Sequence, residues 1–340
     1  MSEELFDKER GRKGTKKKKL IILTIVMSVV ALLAAIYLVY RLYIMAAGTY
    51  TNYSVEYSAK REDGLFSNYT TYHGQLLKYS RDGAQVYTTD TNLLWNGSYE
   101  MKDPIVDTCK EYAVIADRGG KQLYIYNTKG VAQSITVEYP ILKAEVAAQG
   151  VVAVLMEAKE ANYIRLYSLS GKVLFDKETS VEREGYPLDF AISNDGQKMV
   201  LAYMDISSAK VKMNVSYYNL GDVGQNYNNR LVLGTIYEDT IIPRVEFIGN
   251  NTVCIYKEQG IEMCSMEEIP DKEPVVKVDF TEEIISTFSN SSYVGFVLKG
   301  KKDGEKYRVI VYNTKGRKIL DQSLEFDYTA INMYGSDIIF

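Results

Sequence analysis

A strand-and-turn segment recurs along the chain and limits the folds that the sequence can adopt. The segment Leu123–Gly130 returns as Val309–Gly316, and both contain the string Tyr-Asn-Thr-Lys-Gly. Two weaker copies lie between them, at Arg165–Gly171 and Val215–Gly221. One tyrosine marks each copy: Tyr126, Tyr167, Tyr218 and Tyr312. The successive gaps of 41, 51 and 94 residues, the last equal to two units of 47, predict a β-propeller of four-stranded blades.

Short apolar runs fill the space between these turns. From about residue 71 the chain lacks long helical periodicity and is instead rich in Val, Ile, Tyr and Leu between Gly, Asn, Asp and Ser turns, which favours an all-β domain. Ser193–Gly196 reads as the turn between the first two strands of one unit, because glycine accepts positive φ. The four strands of that unit are predicted at Leu188–Ile192, Lys198–Met204, Lys212–Asn219 and Arg230–Tyr237. Parallel units are predicted at 104–138, 141–177, 245–279 and 284–321.

Incomplete units are predicted at both ends of this region. The first blade has strands at Gln75–Ser80, Ala84–Thr88 and Asn92–Tyr99, and the last has strands at Thr329–Asn332 and Asp337–Phe340. This gives five whole blades and two partial ones, within a ring of seven or eight blades when complete. Either the two partial blades complete one another, or the chain is truncated within the closing blade. The exposed apolar edge that a half-built blade would leave favours truncation.

An apolar run of 21 residues without a charge, Leu20–Tyr40, precedes the repeats. As a helix it spans about 31 Å, which matches a bilayer core of about 30 Å. A cleaved signal peptide would have a shorter apolar region, so we expect an uncleaved anchor. Tyr40 and Arg41 suit the outer interface of the membrane. The basic residues directly before the run, which orient it with the N-terminus in the cytoplasm, are Lys16, Lys17, Lys18 and Lys19.

The net charge of −4 conceals an uneven distribution. Residues 1–19 carry +4, Arg41 adds +1, and residues 42–340 carry −9. We therefore expect a basic cytoplasmic tail at 1–19, a transmembrane helix at 20–43, a stalk at 44–70 and an extracytoplasmic propeller at 71–340. This places the protein in the plasma membrane, and the acidic outer domain argues against binding of nucleic acid.

Few residues offer catalytic or metal chemistry. His73 is the one histidine, and neither a zinc ligand set nor a nucleotide-binding motif is recognisable, so no metal and no cofactor are predicted. Cys254 and Cys264 flank a predicted hairpin. A turn centred on Gln259 would place the two thiols opposite each other, either as a cross-strand disulfide or as two buried apolar positions. Carboxylates near predicted strand ends could meet at the ring axis, as in a hydrolase: Asp117, Glu157, Glu160, Asp189, Asp195 and Asp205.

The 29 tyrosines fall into two groups. Those within predicted strands, such as Tyr124, Tyr126, Tyr217 and Tyr312, are expected to pack between blades. Those in predicted loops are expected to bind a partner, because tyrosine offers a large rigid surface with a polar tip. The predicted binding residues are Tyr69, Tyr72, Asp117, Arg118, Tyr186 and Asp205.

The blade period and turn chemistry resemble WD40-like and quinoprotein-like propellers, although the Gly-His and Trp-Asp marks of true WD40 repeats are absent. Nearly the whole chain resembles a family of membrane-anchored proteins of Gram-positive, Clostridia-type bacteria that is catalogued as a domain of unknown function. That resemblance implies no known activity. It is carried by the lysine-rich tail and apolar run and by Leu76–Gly83, Ala147–Leu155, Tyr186–Gly196, Val223–Asn226 and Pro243–Phe247.

Together these features predict a membrane-anchored propeller that acts as a non-enzymatic protein-interaction or cell-envelope ligand-binding module. One alternative is an envelope hydrolase with a carboxylate site in the propeller channel. Another is a structural subunit of a membrane complex, because the small residues Thr24, Ser28, Ala31 and Ala35 share one face of the predicted helix.

Overall fold

The computed structural model describes residues 23–42, 67–205, 210–301 and 304–340. These residues belong to two units, 1–58 and 59–340. In the first unit, helix α1 runs from Leu23 to Leu42 and is the one helix of the described residues that is long and apolar enough to cross a membrane, a property that signal sequences share. Tyr40 and Arg41 lie in its last turn. The predicted tail, with Lys16 to Lys19, and residues 44–66 of the predicted stalk lie outside the described residues.

The second unit consists of antiparallel sheets in which sequential strands are neighbours. Sheet 1 contains β1 Asn68–Tyr72, β2 Gln75–Tyr79, β3 Gly83–Tyr87 and β4 Leu93–Ser98. Sheet 2 contains β5 Pro104–Cys109, β6 Tyr112–Asp117, β7 Gln122–Asn127 and β8 Gly130–Thr136. Sheet 3 contains β9 Ile141–Val146, β10 Val152–Glu157, β11 Asn162–Tyr167 and β12 Val173–Thr179.

The same order continues through the rest of the unit. Sheet 4 contains β13 Tyr186–Ile192, β14 Lys198–Asp205, β15 Lys212–Asn219 and β16 Leu231–Glu238, with two short 3₁₀ turns at Val223–Asn226 and Asn228–Arg230. Sheet 5 contains β17 Arg244–Ile248, β18 Thr252–Lys257, β19 Gly260–Ser265 and β20 Val276–Asp279. Sheet 6 contains β21 Ile284–Ser289, β22 Tyr293–Lys299, β23 Tyr307–Asn313 and β24 Lys318–Leu324. A two-stranded sheet, β25 Asn332–Tyr334 and β26 Asp337–Ile339, follows.

The sheets pack face to face in chain order, as the blades of a propeller do. The first strands of consecutive sheets, β1, β5, β9, β13 and β17, are neighbours in space, so they form the inner layer. An apolar core fills each space between consecutive sheets, from sheets 1 and 2 to sheet 6 and the β25–β26 pair. The predicted all-β propeller is therefore confirmed, with six complete four-stranded blades in the described residues.

The sequence pattern placed the strands of sheet 4 almost as the structure has them. The predicted turn at Ser193–Gly196 is present, with Gly196 at φ +64°. Tyr126 and Tyr217 are buried between blades, as expected for strand tyrosines, and Tyr126 stacks on Trp95 with a ring-centroid distance of 4.7 Å. Strand β25 begins at Asn332, which is the last residue of the strand predicted there.

The prediction that the first blade is partial is wrong. Strand β1 supplies its missing inner strand, so residues 68–70 are part of the sheet and not of the predicted stalk. The run Asn-Tyr-Thr-Thr-Tyr lacks the apolar alternation of a half-buried strand, and Tyr72 is its one fully buried side chain. His73 and Gly74, with φ of +50° and +71°, form the two-residue turn into β2.

Of the two alternatives for Cys254 and Cys264, the structure has two buried residues and not a cross-strand disulfide. The turn between β18 and β19 contains two residues, Glu258 and Gln259, so that Cys254 lies opposite Met263 and Cys264 lies opposite Val253. Because side chains alternate along a strand, the two cysteines face opposite sides of sheet 5. Both thiols are free.

This register predicts which engineered disulfide can form. In a Cys109→Ser background, Val253→Cys should link to Cys264 on oxidation of the folded protein, because directly opposed Cα atoms lie about 4.5–5.5 Å apart. Peptide mapping under non-reducing conditions would show this link. The matched Cys109→Ser protein without the Val253 change should keep both thiols free, and a Cys254–Cys264 link in it would contradict the register.

Candidate functional site

The opening residues of four inner strands surround a cavity of about 630 Å³. Strands β5, β9, β13 and β17 contribute residues 105–107, 142–145, 186–188 and 244–246 to its wall. Arg118, which follows β6, and Leu155 of β10 complete the lining. A cavity of this volume lies within the range of ligand pockets, about 300–1,000 Å³.

Each of the four inner strands carries a carboxylate that accepts a hydrogen bond from the next sheet. Three of the donors are backbone amides of the following inner strand, and the fourth is a serine hydroxyl. The donor–acceptor distances are 2.8 Å from Val146 N to Asp107 Oδ2, 2.9 Å from Ile192 N to Glu145 Oε2, 2.9 Å from Val245 N to Asp189 Oδ2 and 2.6 Å from Ser289 Oγ to Glu246 Oε1. We call these four residues the inner carboxylates, and they connect sheets 2 to 6 in series.

Lys143 joins two of the inner carboxylates. Its Nζ lies 2.6 Å from Asp189 Oδ1 and 2.8 Å from Glu145 Oε1, and it donates a third bond of 2.7 Å to the carbonyl of Phe190. An ammonium group has three N–H donors, so all three of them have acceptors within the protein. Lys143 therefore stabilises the contact between sheets 3 and 4 and has no donor left for a ligand.

Burial changes the acidity of this group of residues. Removal from water raises the pKa of Glu145 to about 7, although the ammonium of Lys143 opposes the shift. Burial raises the pKa of Asp107 as well. Burial would lower the pKa of Lys143, but the adjacent carboxylates of Glu145 and Asp189 outweigh that effect and raise it.

The side chains of two arginines at the cavity are partly exposed to solvent. Arg244 donates a 3.0 Å bond to Thr287 Oγ1, forms a 3.0 Å ion pair with Glu246 Oε2 and lies 4.9 Å from the ring centre of Tyr256, and its side chain is 42% exposed. Arg118 bonds through Nε to Asp103 Oδ2 at 2.7 Å, and its side chain is 56% exposed.

The structure gathers most of the predicted binding residues at this end of the sheets. Arg118 and Tyr186 line the cavity, and the Tyr186 hydroxyl donates a 3.0 Å bond to Glu157. Asp117 ends β6 and accepts bonds of 2.9 and 3.0 Å from the amides of Lys102 and Asp103, so it holds the segment that pairs with Arg118. Asp205 ends β14, the strand that pairs with β13.

All three tyrosines that were predicted in loops lie in strands, because Tyr186 begins β13 and the other two belong to β1. Tyr69 lies within β1 and is 40% exposed. Tyr72 ends β1, is 1% exposed and donates a 2.6 Å bond to the carbonyl of Glu111, so its side chain belongs to the core between sheets 1 and 2. Burial leaves Tyr72 unable to contact a ligand.

Sequence reasoning missed most of the cavity. Of the inner carboxylates only Asp189 was considered, and Lys143 and Arg244 were not. One signal could have found three of the four carboxylates, because each of these three has apolar neighbours on both sides in the first strand of its unit, as in Leu-Asp-Phe at 188–190 and Val-Glu-Phe at 245–247. Among the described residues, no group of three or more His, Cys, Asp and Glu side chains is arranged to hold a metal ion.

These features define a β-propeller with a cavity at its inner strands. The profile of a family of unknown function, DUF5711, matches residues 46–340, and the protein belongs to this family. No curated protein matches the chain.

Several solved structures are similar in fold. Hydrazine synthase of Kuenenia stuttgartiensis has a TM-score of 0.47 and 10% identity, covering 77% of this chain and 80% of that one. The Pan2 WD40 domain of Neurospora crassa has a TM-score of 0.47 and 9% identity, covering 68% and 71%. BamB from Moraxella catarrhalis has a TM-score of 0.45 and 11% identity, covering 80% of each chain. At these identities and TM-scores nothing follows about activity, ligand or partner.

The inner carboxylates should contribute to stability. Asp189→Ala removes the acceptor of the Val245 amide and one partner of Lys143, so we expect the free energy of unfolding to fall by about 2 kcal/mol. Urea denaturation of the full-length protein in detergent measures this change. The control Asp82→Ala, at an exposed turn, should change stability by less than about 0.5 kcal/mol. Equal effects of the two substitutions would contradict a connecting role for Asp189.

The raised pKa of Glu145 predicts a pH dependence of stability. An acid whose pKa is higher in the folded state than its usual 4.5 stabilises the fold at low pH, and this contribution is lost as the pH rises through about 7. Between pH 5 and pH 8 we expect the loss to be about 2 kcal/mol.

The measurement compares urea denaturation at the two pH values in three proteins. Glu145→Gln should show a smaller loss than the unsubstituted protein, while the exposed control Glu182→Gln should behave like the unsubstituted protein. Identical pH dependence in all three proteins would show that Glu145 has an ordinary pKa.

Proposed function

We propose that this protein is a single-pass, membrane-anchored propeller whose outer domain binds a partner protein or a cell-envelope ligand and catalyses no reaction. The observation that carries the proposal is the cavity at the inner strands, where exposed arginine groups lie beside carboxylates that already have partners. A rigid ring of sheets with adaptable groups at one end suits recognition.

The state of the carboxylates supports binding over catalysis. A general acid or base must be free to exchange a proton with a bound substrate. Both oxygens of Glu145, Asp189 and Glu246 already have hydrogen-bond or ion-pair partners. His73 lies in the β1–β2 turn, at the opposite end of sheet 1 from the start of its inner strand.

The membrane placement rests on α1 and on the basic residues before it. The helix is long and apolar enough to cross a bilayer, and Lys16 to Lys19 precede it in the sequence. We propose that the N-terminus is cytoplasmic and that the propeller lies outside the plasma membrane.

Labelling of intact cells tests this orientation. In a background with the three native cysteines replaced by serine, a cysteine introduced at the exposed Ser336 should react with a membrane-impermeant maleimide. A cysteine introduced at Ser2 should react only after the cells are lysed. The reverse pattern would contradict the orientation, and secretion of a protein shortened by about 45 residues would contradict the anchor.

Site-specific crosslinking tests the binding role. A photo-crosslinking amino acid in place of Tyr186, at the cavity, should give a discrete adduct in cells that express the full-length protein. The same amino acid in place of Tyr227 is a matched control, because Tyr227 is an exposed tyrosine in the β15–β16 connection, at the other end of sheet 4. Adducts of equal yield at both positions, or at neither, would contradict a binding site in the cavity.

One observation favours a second candidate, an envelope hydrolase. A carboxyl group with a pKa of about 7 beside a cavity has the acidity of a general acid. For this candidate, purified protein should release soluble fragments from isolated cell envelopes, and Glu145→Gln should abolish the release. Fragment release that is equal with the Glu145→Gln protein, or absent with both proteins, would exclude this candidate.

A further inference from the structure

The side-chain hydrogen-bond donors that remain available among the described lining residues belong to the two arginines. A guanidinium has five N–H donors. Among the described residues, Arg118 donates one hydrogen bond to Asp103, and Arg244 donates one to Thr287 and also forms an ion pair with Glu246. Lys143, by contrast, has all three of its donors satisfied.

Most carboxylate acceptors at the cavity already have partners. Both oxygens of Glu145, Glu246 and the adjoining Asp189 are engaged, and Asp107 accepts a bond through Oδ2. Free donors beside occupied acceptors select a ligand that accepts hydrogen bonds. A carboxylate suits this arrangement best, because a guanidinium and a carboxylate form two parallel charge-assisted bonds.

The overall charge of the cavity limits how much negative charge a ligand can carry. The lining contains the acids Asp107, Glu145 and Glu246 and the basic residues Arg118, Lys143 and Arg244, and Asp189 lies against Lys143. A phosphate polymer would bring several negative charges close to these carboxylates, at a cost in electrostatic energy. A single carboxylate adds one negative charge beside the two partly exposed arginines.

The remaining wall of the cavity is apolar. Leu142, Pro187 and Leu188 line it together with Val106, Leu155 and Val245. In a segment with an apolar side chain next to a carboxylate, the apolar side chain would be buried against this wall. The carboxylate would pair with the arginines. An extended peptide can carry both groups on neighbouring residues.

We propose that the cavity receives an acidic peptide segment of a partner protein. An Asp or Glu side chain or a chain-end carboxylate of that segment binds Arg118 and Arg244, and an adjacent apolar side chain packs on Leu142, Pro187 and Leu188. The inference rests on the proposed function, because it names the ligand class of the same cavity.

The test identifies what the Tyr186 crosslinker captures and whether capture needs the arginines. Mass spectrometry of the digested adduct should give a partner peptide with an acidic residue or a free carboxyl end within a few residues of the link. Adding Arg118→Gln should lower the adduct yield about tenfold, the loss expected for one charge-assisted contact. Arg317→Gln, in an exposed turn between β23 and β24, is the matched control and should leave the yield unchanged.

Two further measurements separate a binding effect from damage to the fold. The side chain of Arg118 is mostly in solvent, so the urea midpoint of Arg118→Gln should equal that of the control. A synthetic copy of the captured peptide should bind the full-length protein in detergent about tenfold more tightly than a copy with Gln or Asn in place of the acid, or with an amidated end.

The outcomes distinguish this inference from the proposed function. An adduct that persists in Arg118→Gln, a captured peptide without an acidic group, or an adduct that contains a phosphate polymer and no peptide would overturn the inference and leave a binding site in the cavity. Failure to form any adduct at Tyr186 would overturn both.

Discussion

The structure depends on a repeated contact between neighbouring inner strands. In sheets 2 to 5, one carboxylate of the first strand accepts a hydrogen bond from the first strand of the next sheet. Apolar packing between sheets is strong but has no preferred direction. A buried carboxylate that must meet a particular amide fixes how far one sheet can slide along the next. Asp189 shows the effect most fully, because it joins Lys143 of sheet 3 to the Val245 amide of sheet 5.

The same contact decides which groups are left for function. Glu145 and Asp189 form contacts that hold the sheets together, and both form ion pairs with Lys143. Arg118 and Arg244 lie further toward solvent and keep donors that the protein does not use. The acids have hydrogen-bond partners within the protein, whereas the arginines keep donors for a ligand. This difference is the reason for proposing binding instead of catalysis, and for proposing an acidic ligand. Neither choice could be made from the acidic net charge of the outer domain, which describes its whole surface.

The sequence predicted the architecture because periodic patterns report on it directly. The strands of sheet 4 were located to within two residues, since Val, Ile and Tyr alternate between turns that contain glycine. Strand β1 was missed because its polar residues lack that alternation. The choice between a disulfide and two buried cysteines could not be made from the sequence, because a hairpin turn of two residues in place of three moves every partner by one position, and no local pattern around Gln259 fixes that length. The cavity was missed because the contacts of Lys143 lie up to 47 residues away in the chain.

Hydrogen exchange at the Val245 amide tests whether the inner carboxylates hold the sheets together while the arginines are free to bind. In the full-length protein, we expect slow exchange at Val245, rapid exchange after Asp189→Ala and unchanged slow exchange after Arg118→Gln. Slow exchange that survives Asp189→Ala would show that the contact between inner strands does not depend on the carboxylate.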